Sequence, residues 1–413
     1  MKILLIHQYF LEKDDPGGSR FNEITKVWVE EGHEVTVLCG MLNYVTGKIP
    51  KKYKGKFIHE SEYEDNLHIV RSYVSSNYNT NFLGRLWAYF SFVFSSIWAG
   101  LFKTSRPDLI VVTSPPLFVG ITAYVLSIIK KIPFVFEVRD LWPESAIDTG
   151  VITNKWIIKF AYWFEGFMYK KAKLINVLTP AFRDRLIEKK NIPKDKIIFI
   201  PNAADFSLSD QLLETFDVGA FRKEKNFEEK FIVTYVGAHG VANYLDQLLD
   251  AADLIEKDEV LILLIGDGME KKRLVEASEN RNLKNVQFID SVPKNEVFKY
   301  ILASDMGASV LKKADTFKTI YSNKTFDYMA CKKPVLLAID GVSRELIEVA
   351  DCGYYAEPEN PSAIANAIRK AKNSNGELIN KGENGYVYAK KNFDRKRLAM
   401  KYLQHIQYLL TNV

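Results

Sequence analysis

Short apolar, β-branched runs alternate with longer stretches of helical character along the whole of this 413-residue chain. The alternation admits few folds, because parallel strands need crossover connections and helices supply them. In the first half the strands are expected at Lys2 to Ile6, Glu34 to Cys39, His68 to Tyr73, Asp108 to Thr113, Pro133 to Val138 and Lys173 to Leu178. A polar interval from Asp205 to Lys230, with Ser207, Ser209, Gly219 and the charge-dense Arg222-Lys223-Glu224-Lys225, interrupts the pattern. It restarts at Phe231 to Gly237, Glu259 to Ile265, Val286 to Ile289, Asp305 to Leu311 and Pro334 to Ile339. At roughly 150 residues per domain one core is too few. The expectation is two doubly wound parallel-sheet α/β domains, 1–205 and 206–385. Residues 386–413 have apolar spacings of three and four and read as helices that pack back on the first domain.

Composition narrows the class. Apolar residues make up 47% and charged residues 26% of the chain, the balance of a folded globular protein. The cysteines Cys39, Cys331 and Cys352 have no CxxC or Cys/His ligand spacing, so neither a disulfide framework nor a zinc site is supported and a reducing cytoplasm fits. The start Met1-Lys2-Ile3-Leu4-Leu5-Ile6-His7 is too short for a signal h-region and reads as a buried strand. Residues 1–205 carry 27 Lys and Arg against 21 Asp and Glu, while the remainder carries 29 against 30. The first half is therefore +6 and the remainder −1, so the positive excess belongs to the first half, which is suited to an anionic partner. It is too modest for nucleic-acid binding, and no RNA or DNA module is present.

One segment stands apart. Leu86 to Phe102 holds no charge, is bracketed by Arg85 and Lys103, and carries Trp87, Tyr89, Phe90, Phe92, Phe94, Trp98 and Phe102. It is short for a spanning helix, which needs about 20 apolar residues. Two readings stay open: a helix covering the sheet, or one partly exposed at a membrane surface, where Trp and Tyr favour the interface. Lys48 to Lys56, and the mixture of Trp156, Tyr162, Trp163, Phe164, Lys170, Lys171 and Lys173, would add attraction to anionic lipid. For the lysine run, a solvated loop is the plain alternative.

The candidate chemistry sits where strands end. Pro16-Gly17-Gly18-Ser19-Arg20 follows the first strand and precedes a helix, a turn that lets backbone N–H groups approach a phosphate or sugar. After the fifth strand comes Glu137-Val138-Arg139-Asp140-Leu141-Trp142-Pro143-Glu144-Ser145. Open α/β sheets bind ligands at that carboxyl edge. Arg139 is suited to a diphosphate and Asp140 to sugar hydroxyls or an acceptor proton, against the plainer reading of an ion pair capping the strand. In the second half, Gly237-Ala238-His239-Gly240 closes a strand before a helix expected at Val241 to Ala252, and Gly266-Asp267-Gly268 closes the next. Tyr321-Ser322-Asn323-Lys324-Thr325-Phe326-Asp327-Tyr328-Met329-Ala330 then places Lys324 and Asp327 on one helical face, the cation for a diphosphate and the carboxylate for ribose.

These pieces resemble, in the same order and over nearly the whole chain, the retaining glycosyltransferases of family 4, which have the GT-B fold of two Rossmann-like domains facing a cleft. Gly17-Gly18 and Gly32-His33-Glu34-Val35-Thr36-Val37 are similar to the family's Gly-Gly loop and "GHeVtV". Ile200-Pro201-Asn202-Ala203-Ala204-Asp205 resembles "iPNGvD", Gly266-Asp267-Gly268 resembles "GdG", and Ser322 to Pro334 resembles "PSKxxEYMAxGkPV". Arg139 to Glu144 is similar to the "RDlWPe" of a subgroup that adds amino sugars such as N-acetyl-fucosamine to O-antigen or capsule precursors. The resemblance implies Arg139, Asp140, Glu144 and Lys324 as catalytic residues. It implies Gly17, Gly18, His239, Gly240, Gly266, Gly268, Asn323, Lys324, Thr325 and Asp327 as residues holding the nucleotide-sugar donor.

Two departures qualify it. The family's glutamates, eight apart, are Thr319 and Asp327 here, which puts contacts to the donor sugar in doubt. Arg139 stands where many members have a histidine, and His239 with its neighbouring backbone stands where they have an Arg/Lys pair. Diphosphate stabilisation then falls on Lys324, Arg139 and the helix end at Val241.

The implied chemistry is retention by front-face attack, with the leaving phosphate taking the acceptor proton. With no DxD triplet in the chain, metal-independent transfer is expected, with no cofactor beyond a nucleotide-sugar, a UDP-sugar by resemblance. The implied acceptor is a polyprenyl-diphosphate-linked or other saccharide, and the implied place is the cytoplasmic face of an anionic membrane, with domain closure excluding water. A sugar-nucleotide epimerase and a catalytically silent membrane-surface binding protein remain as alternatives. A dehydrogenase fits less well, since no GxGxxG follows either first strand.

Overall fold

Two sheets organise the computed structural model, which describes residues 1–12, 20–43, 47–79, 82–148, 152–374 and 376–411. Gly17 and Gly18 lie outside the described residues. The chain divides after Pro201, and residues 396–411 join the first unit while 202–395 form the second. The division read from composition fell at 205.

In the first unit the elements run β1 (Lys2–Ile6), α1 (Arg20–Glu30), β2 (Glu34–Gly40), β3 (Ile58–Glu64), β4 (Leu67–Ser72), α2 (Phe82–Phe102) and β5 (Leu109–Ser114). They continue through α3 (Val119–Lys130), β6 (Phe134–Val138), α4 (Glu144–Asp148), α5 (Lys155–Lys171), β7 (Leu174–Val177), α6 (Pro180–Lys190) and β8 (Ile197–Phe199). The sheet order is β3-β4-β2-β1-β5-β6-β7-β8, parallel except for the β3–β4 hairpin. Leu4, Leu5 and Ile6 are covered on both faces, which is why their run is unbroken rather than alternating.

The second unit runs α7 (Phe206–Thr215), α8 (Val218–Glu224), β9 (Phe231–Val236), α9 (Asp246–Leu254), β10 (Val260–Ile265), α10 (Lys271–Asn280), β11 (Val286–Ile289) and α11 (Lys294–Ala303). It continues with β12 (Met306–Val310), α12 (Asn323–Ala330), β13 (Val335–Ala338), α13 (Val342–Val349), β14 (Gly353–Tyr355), α14 (Pro361–Lys372) and α15 (Glu377–Asn392). Its six strands are all parallel, in the order β11-β10-β9-β12-β13-β14. Leu248 and Leu249 of α9 and Ile364 and Ile368 of α14 bury one face, Phe298 of α11 and Phe326 of α12 the other. Each such side chain contributes roughly 1.5–3 kcal/mol.

Every strand expected from the sequence forms within one residue of its expected ends. Three edge strands, β3, β8 and β14, were not expected. The helix expected from Val241 begins at Asp246 instead, with residues 241–243 in turns. Its first-turn Asp246 is clamped by two guanidinium nitrogens of Arg273 at 2.7 Å, so the helix end lies beyond Val241 and carries its own ion-paired carboxylate. α15 belongs to the second unit, while α16 (Arg395–Thr411) belongs almost wholly to the first. There the Trp28 indole of α1 donates to the Ala399 carbonyl at 3.1 Å, and Tyr402 meets the Trp28 ring edge-on at 5.5 Å.

The buried face of α2 is made mostly of small residues, Ala88, Ser91, Ser95, Ser96 and Ala99, together with Phe92 and Val93, with Ser95 donating to the Tyr73 carbonyl and Ser96 paired with Thr122 of α3 at 2.8 Å. Several of its aromatic rings are outside, with Trp87 53%, Phe94 65% and Phe102 67% exposed. The segment thus covers the sheet and also presents aromatic rings outward. No helix among the described residues is long and apolar enough to cross a membrane.

Candidate active site

In the second unit the β9–α9 and β10–α10 loops interlock through their backbones. His239 N donates to Asp267 O at 2.8 Å, and Glu270 N returns to His239 O at 2.9 Å. The contact is close enough that only glycine fits: Gly266 has φ 144°, and a Cβ there would lie 2.0 Å from Gly237 O. Gly268 and Asp267 are exposed, and Met269 projects beside them at 81% exposure. That leaves the outer rim of this loop open to a flat ring such as a nucleobase.

α12 brings its N-terminus to the same place. Tyr328 anchors it, donating to Ala308 O at 3.0 Å and accepting from Val236 N at 3.0 Å. Lys324 then lays its stem along Gly237, where a Cβ would meet Lys324 Cε at 3.1 Å. Its ammonium sits 4.9 Å from the Tyr235 ring centroid and 3.5 Å from Ser322 Oγ. Lys324 makes no ion pair with a carboxylate among the described residues; burial lowers its pKa to about 8, against a smaller opposing pull from Asp327. A half-buried cation with no ion-paired carboxylate among the described residues is suited to receive an anion.

The other residues expected here separate in role. Asn323 is exposed in the first turn of α12 and Asp327 is half-buried on the same helix, whereas Thr325 turns inward and donates to Ser309 Oγ at 3.2 Å. The His239 ring is fully buried, 6.1 Å from Tyr235 and from Phe288, and burial lowers its pKa to about 4. The exposed residue of its loop is Ala238, with Gly237 and Gly240 half-buried on either side. Gly237, Ser322 and Tyr235 were not singled out from the sequence as donor contacts. Thr319, in place of the first family glutamate, lies in the short turn Asp315–Thr319 and donates to Thr316 O.

In the first unit the carboxyl ends of β1, β5 and β6 converge. His7 Nδ1 and Thr113 Oγ1 are 2.7 Å apart in the interior. Burial, and to a lesser degree the Arg139 charge, depress the His7 pKa well below its ordinary value, so His7 is neutral beside a half-buried Arg139. The Gln8 amide is 1% exposed with neither of its polar atoms bonded.

Glu137 points into the core, paired with Arg20 at 3.0 Å and accepting from Asn176 at 2.9 Å. Arg20 in turn holds the Ile200 carbonyl at 2.7 Å. Asp140 is half-buried; burial raises its pKa, opposed by bonds from Ser145 and the Leu141 backbone. Those bonds make it a brace for the turn into α4. Glu144 is 8% exposed and its Oε1 is 2.9 Å from Lys190 at the end of α6. Arg139, Asp140 and Glu144 are therefore near in sequence but engaged with different partners.

Comparison with known proteins agrees with this layout. A glycosyl transferase 4-like domain matches residues 17–203, and the glycosyl transferases group 1 family matches residues 218–388. A putative colanic acid biosynthesis glycosyl transferase, WcaI of Escherichia coli K12, is 21% identical over 420 residues, covering 98% of this chain and all of WcaI. Among solved structures, a sucrose-phosphate synthase from Thermosynechococcus elongatus superposes with TM-score 0.77 at 16% identity, over the full length of both chains. HepE of Anabaena, solved with UDP-glucose, superposes with TM-score 0.71 at 18% identity, over 99% of this chain and all of HepE. The two family matches follow one another along most of the sequence, one on each unit, and the chain belongs to the family 4 glycosyltransferases of GT-B fold.

Proposed function

We propose that this glycosyltransferase is a retaining, metal-independent enzyme. It moves a sugar, of the N-acetylated amino-sugar type, from a UDP-sugar to a polyprenyl-diphosphate-linked or other saccharide acceptor in the synthesis of surface polysaccharide such as O-antigen or capsule. The observation that carries the reading is Lys324, a cation lacking a carboxylate partner against the Gly237 loop at the carboxyl end of β9. Departure of a nucleoside diphosphate puts negative charge on the leaving phosphate as the anomeric carbon turns cationic, and an aimed ammonium with backbone donors lowers that barrier. Asp327 and Asn323 take the ribose and phosphate, and the exposed rim at Gly268 takes the base.

In the first unit Arg139 is the cation for the acceptor or the transferring group, while Asp140 and Glu144 act by positioning its loop. WcaI supports the polysaccharide role by its name, and HepE supports the UDP-sugar donor by its bound ligand. The test is incubation with radiolabelled UDP-sugars and a polyprenyl-linked saccharide fraction, reading label in lipid and the anomeric configuration by NMR. Labelled lipid of retained configuration is expected. Conversion of the donor without any acceptor product would mark an epimerase.

The acceptor is reached at a lipid surface. The exposed rings of α2 are joined by Ile128 and Ile129 of α3, each 56% exposed, and by Trp156 79%, Phe160 48% and Trp163 61% on α5. α2 packs on α3 and α3 on α5, so these rings share one flank of the sheet, with Lys155, Lys159, Lys170 and Lys171 on α5 itself. That combination is suited to anionic interfacial lipid. Trp156→Ser/Phe160→Ser/Trp163→Ser together are expected to weaken sedimentation with phosphatidylglycerol vesicles by at least about tenfold, at roughly 1.5–3 kcal/mol per ring that enters the interface. Equal binding by this variant and the parent would remove the surface from the account.

A further inference from the structure

A cavity of about 480 Å³ opens in the first unit among α4, α5 and α6, within the size range of small-molecule sites. Its floor is ionic. Lys190 donates to Glu144 Oε1 at 2.9 Å and to Glu165 Oε2 at 2.6 Å, and the buried Tyr169 hydroxyl donates to Glu165 Oε1 at 2.9 Å. Two carboxylates share one ammonium, and the excess charge has no relief: burial, and next the Glu144 charge, push the Glu165 carboxyl up to about 7. One acceptor is left over. Glu144 Oε2 is shut off from solvent and has no hydrogen-bond partner, in a side chain only 9% exposed that lines the cavity. A buried carboxylate oxygen without a donor is costly, and such atoms call for a ligand that brings one.

The rim has the opposite character. Arg185 and Lys189 of α6 line the same cavity, and neither forms an ion pair among the described residues. Tyr162 forms a wall, 38% exposed, with Lys190 Nζ 4.5 Å from its ring centroid. A simple anion would satisfy the rim and be repelled by the floor, and a simple amine the reverse. We infer that the cavity binds a sugar phosphate, its hydroxyl or amine hydrogens taken by Glu144 Oε2 once that carboxylate turns toward the cavity it lines, and its phosphate by Arg185 and Lys189. The inference rests on the proposed transfer only in naming the source, the head of a lipid-linked acceptor rather than a free sugar phosphate.

The test uses the full chain and isothermal titration with N-acetylglucosamine 1-phosphate, with N-acetylglucosamine and inorganic phosphate as controls. The sugar phosphate is expected to bind at least about tenfold more tightly than either control, because both ends of the cavity are then engaged. Arg185→Ala/Lys189→Ala and, separately, Glu144→Gln should each lose about tenfold of that affinity while UDP binding to the second unit is unchanged. The double variant lies on the rim, so the test survives if Glu144→Gln disturbs the floor. Displacement of the probe by a polyprenyl-diphosphate-linked N-acetylglucosamine in detergent identifies the lipid-linked source, and its failure to displace identifies the free one. Phosphate binding as tightly as sugar phosphate, or variants binding like the parent, would overturn the assignment. Loss of UDP binding in the parent would instead count against the donor site alone.

Discussion

Lys324→Met should lower kcat/KM for sugar transfer by about 10²–10³, the usual consequence of removing one aimed charge from a site where a leaving group becomes anionic. The same variant should melt no lower than the parent, because the stem still packs on Gly237 while a charge penalised by burial has been removed. That pairing of lost activity with kept stability separates a catalytic cation from a packing residue. The pH dependence has a definite sign. With a folded pKa near 8 against an ordinary 10.5, the folded protein binds fewer protons between those values, so stability rises with pH through that window and the penalty is fully present below it. Nucleotide binding runs the other way. A bound diphosphate favours the charged lysine, so UDP affinity should fall as pH rises above about 8, and Lys324→Met should flatten that limb. A variant retaining full activity, or one that loses it only by unfolding, would show that Lys324 does not hold the leaving group.

Gly266→Ala should be the most damaging single methyl in the second unit. The added carbon would sit 2.0 Å from a backbone oxygen of the neighbouring loop, at a φ of 144° that an L side chain rarely adopts. Neither the clash nor the strain can be relieved by rotating a side chain, since both partners are main chain. The expected loss is roughly 3 kcal/mol, from strain of about 1–3 kcal/mol plus displacement of the loop. At about 2–4 °C per kcal/mol for a unit of this size, the melting transition should drop by roughly 6–12 °C. UDP affinity should fall with it, because displacing Gly237 moves the contact along which Lys324 lies. Calorimetry and UDP titration of the same sample read both. An unchanged transition would mean that the two loops are not locked together as described.

The legible part of the fold is the part whose residues are buried on both faces. β1, β5 and β10 are nearly continuous apolar runs, and such runs have few other uses in a chain of this composition. β3 escaped because Ile58–Glu64 alternates polar with polar, is half-covered at the sheet edge, and owes its place to a hairpin turn with Asn66 at φ 65°. β8 and β14 are three residues each and carry too little pattern to read. The early start expected for α9 came from treating Gly240 as the last residue before a helix, whereas the chain makes a further turn before Asp246.

At the candidate site, Lys324, Gly266 and Gly268 were named through a family resemblance carried by local motifs. The Lys324 contact with Gly237 was not, because it needs two loops distant in sequence to meet, and spacing carries no information about that meeting. Glu144 shows the converse. Its nearness to Arg139 in sequence suggested a shared task, yet Lys190 and Glu165, far along the chain, decide where its carboxylate lies.

The most direct test of the donor site is the thermal stability of the parent chain and of Lys324→Met against UDP, GDP, dTDP, CMP and NAD. A bound nucleotide at 100 times its dissociation constant stabilises by about 2.7 kcal/mol, enough to rank the panel. Selective stabilisation of the parent by UDP, much reduced in Lys324→Met, is the predicted result. Stabilisation by NAD alone, or an equal UDP response in both proteins, would contradict the account.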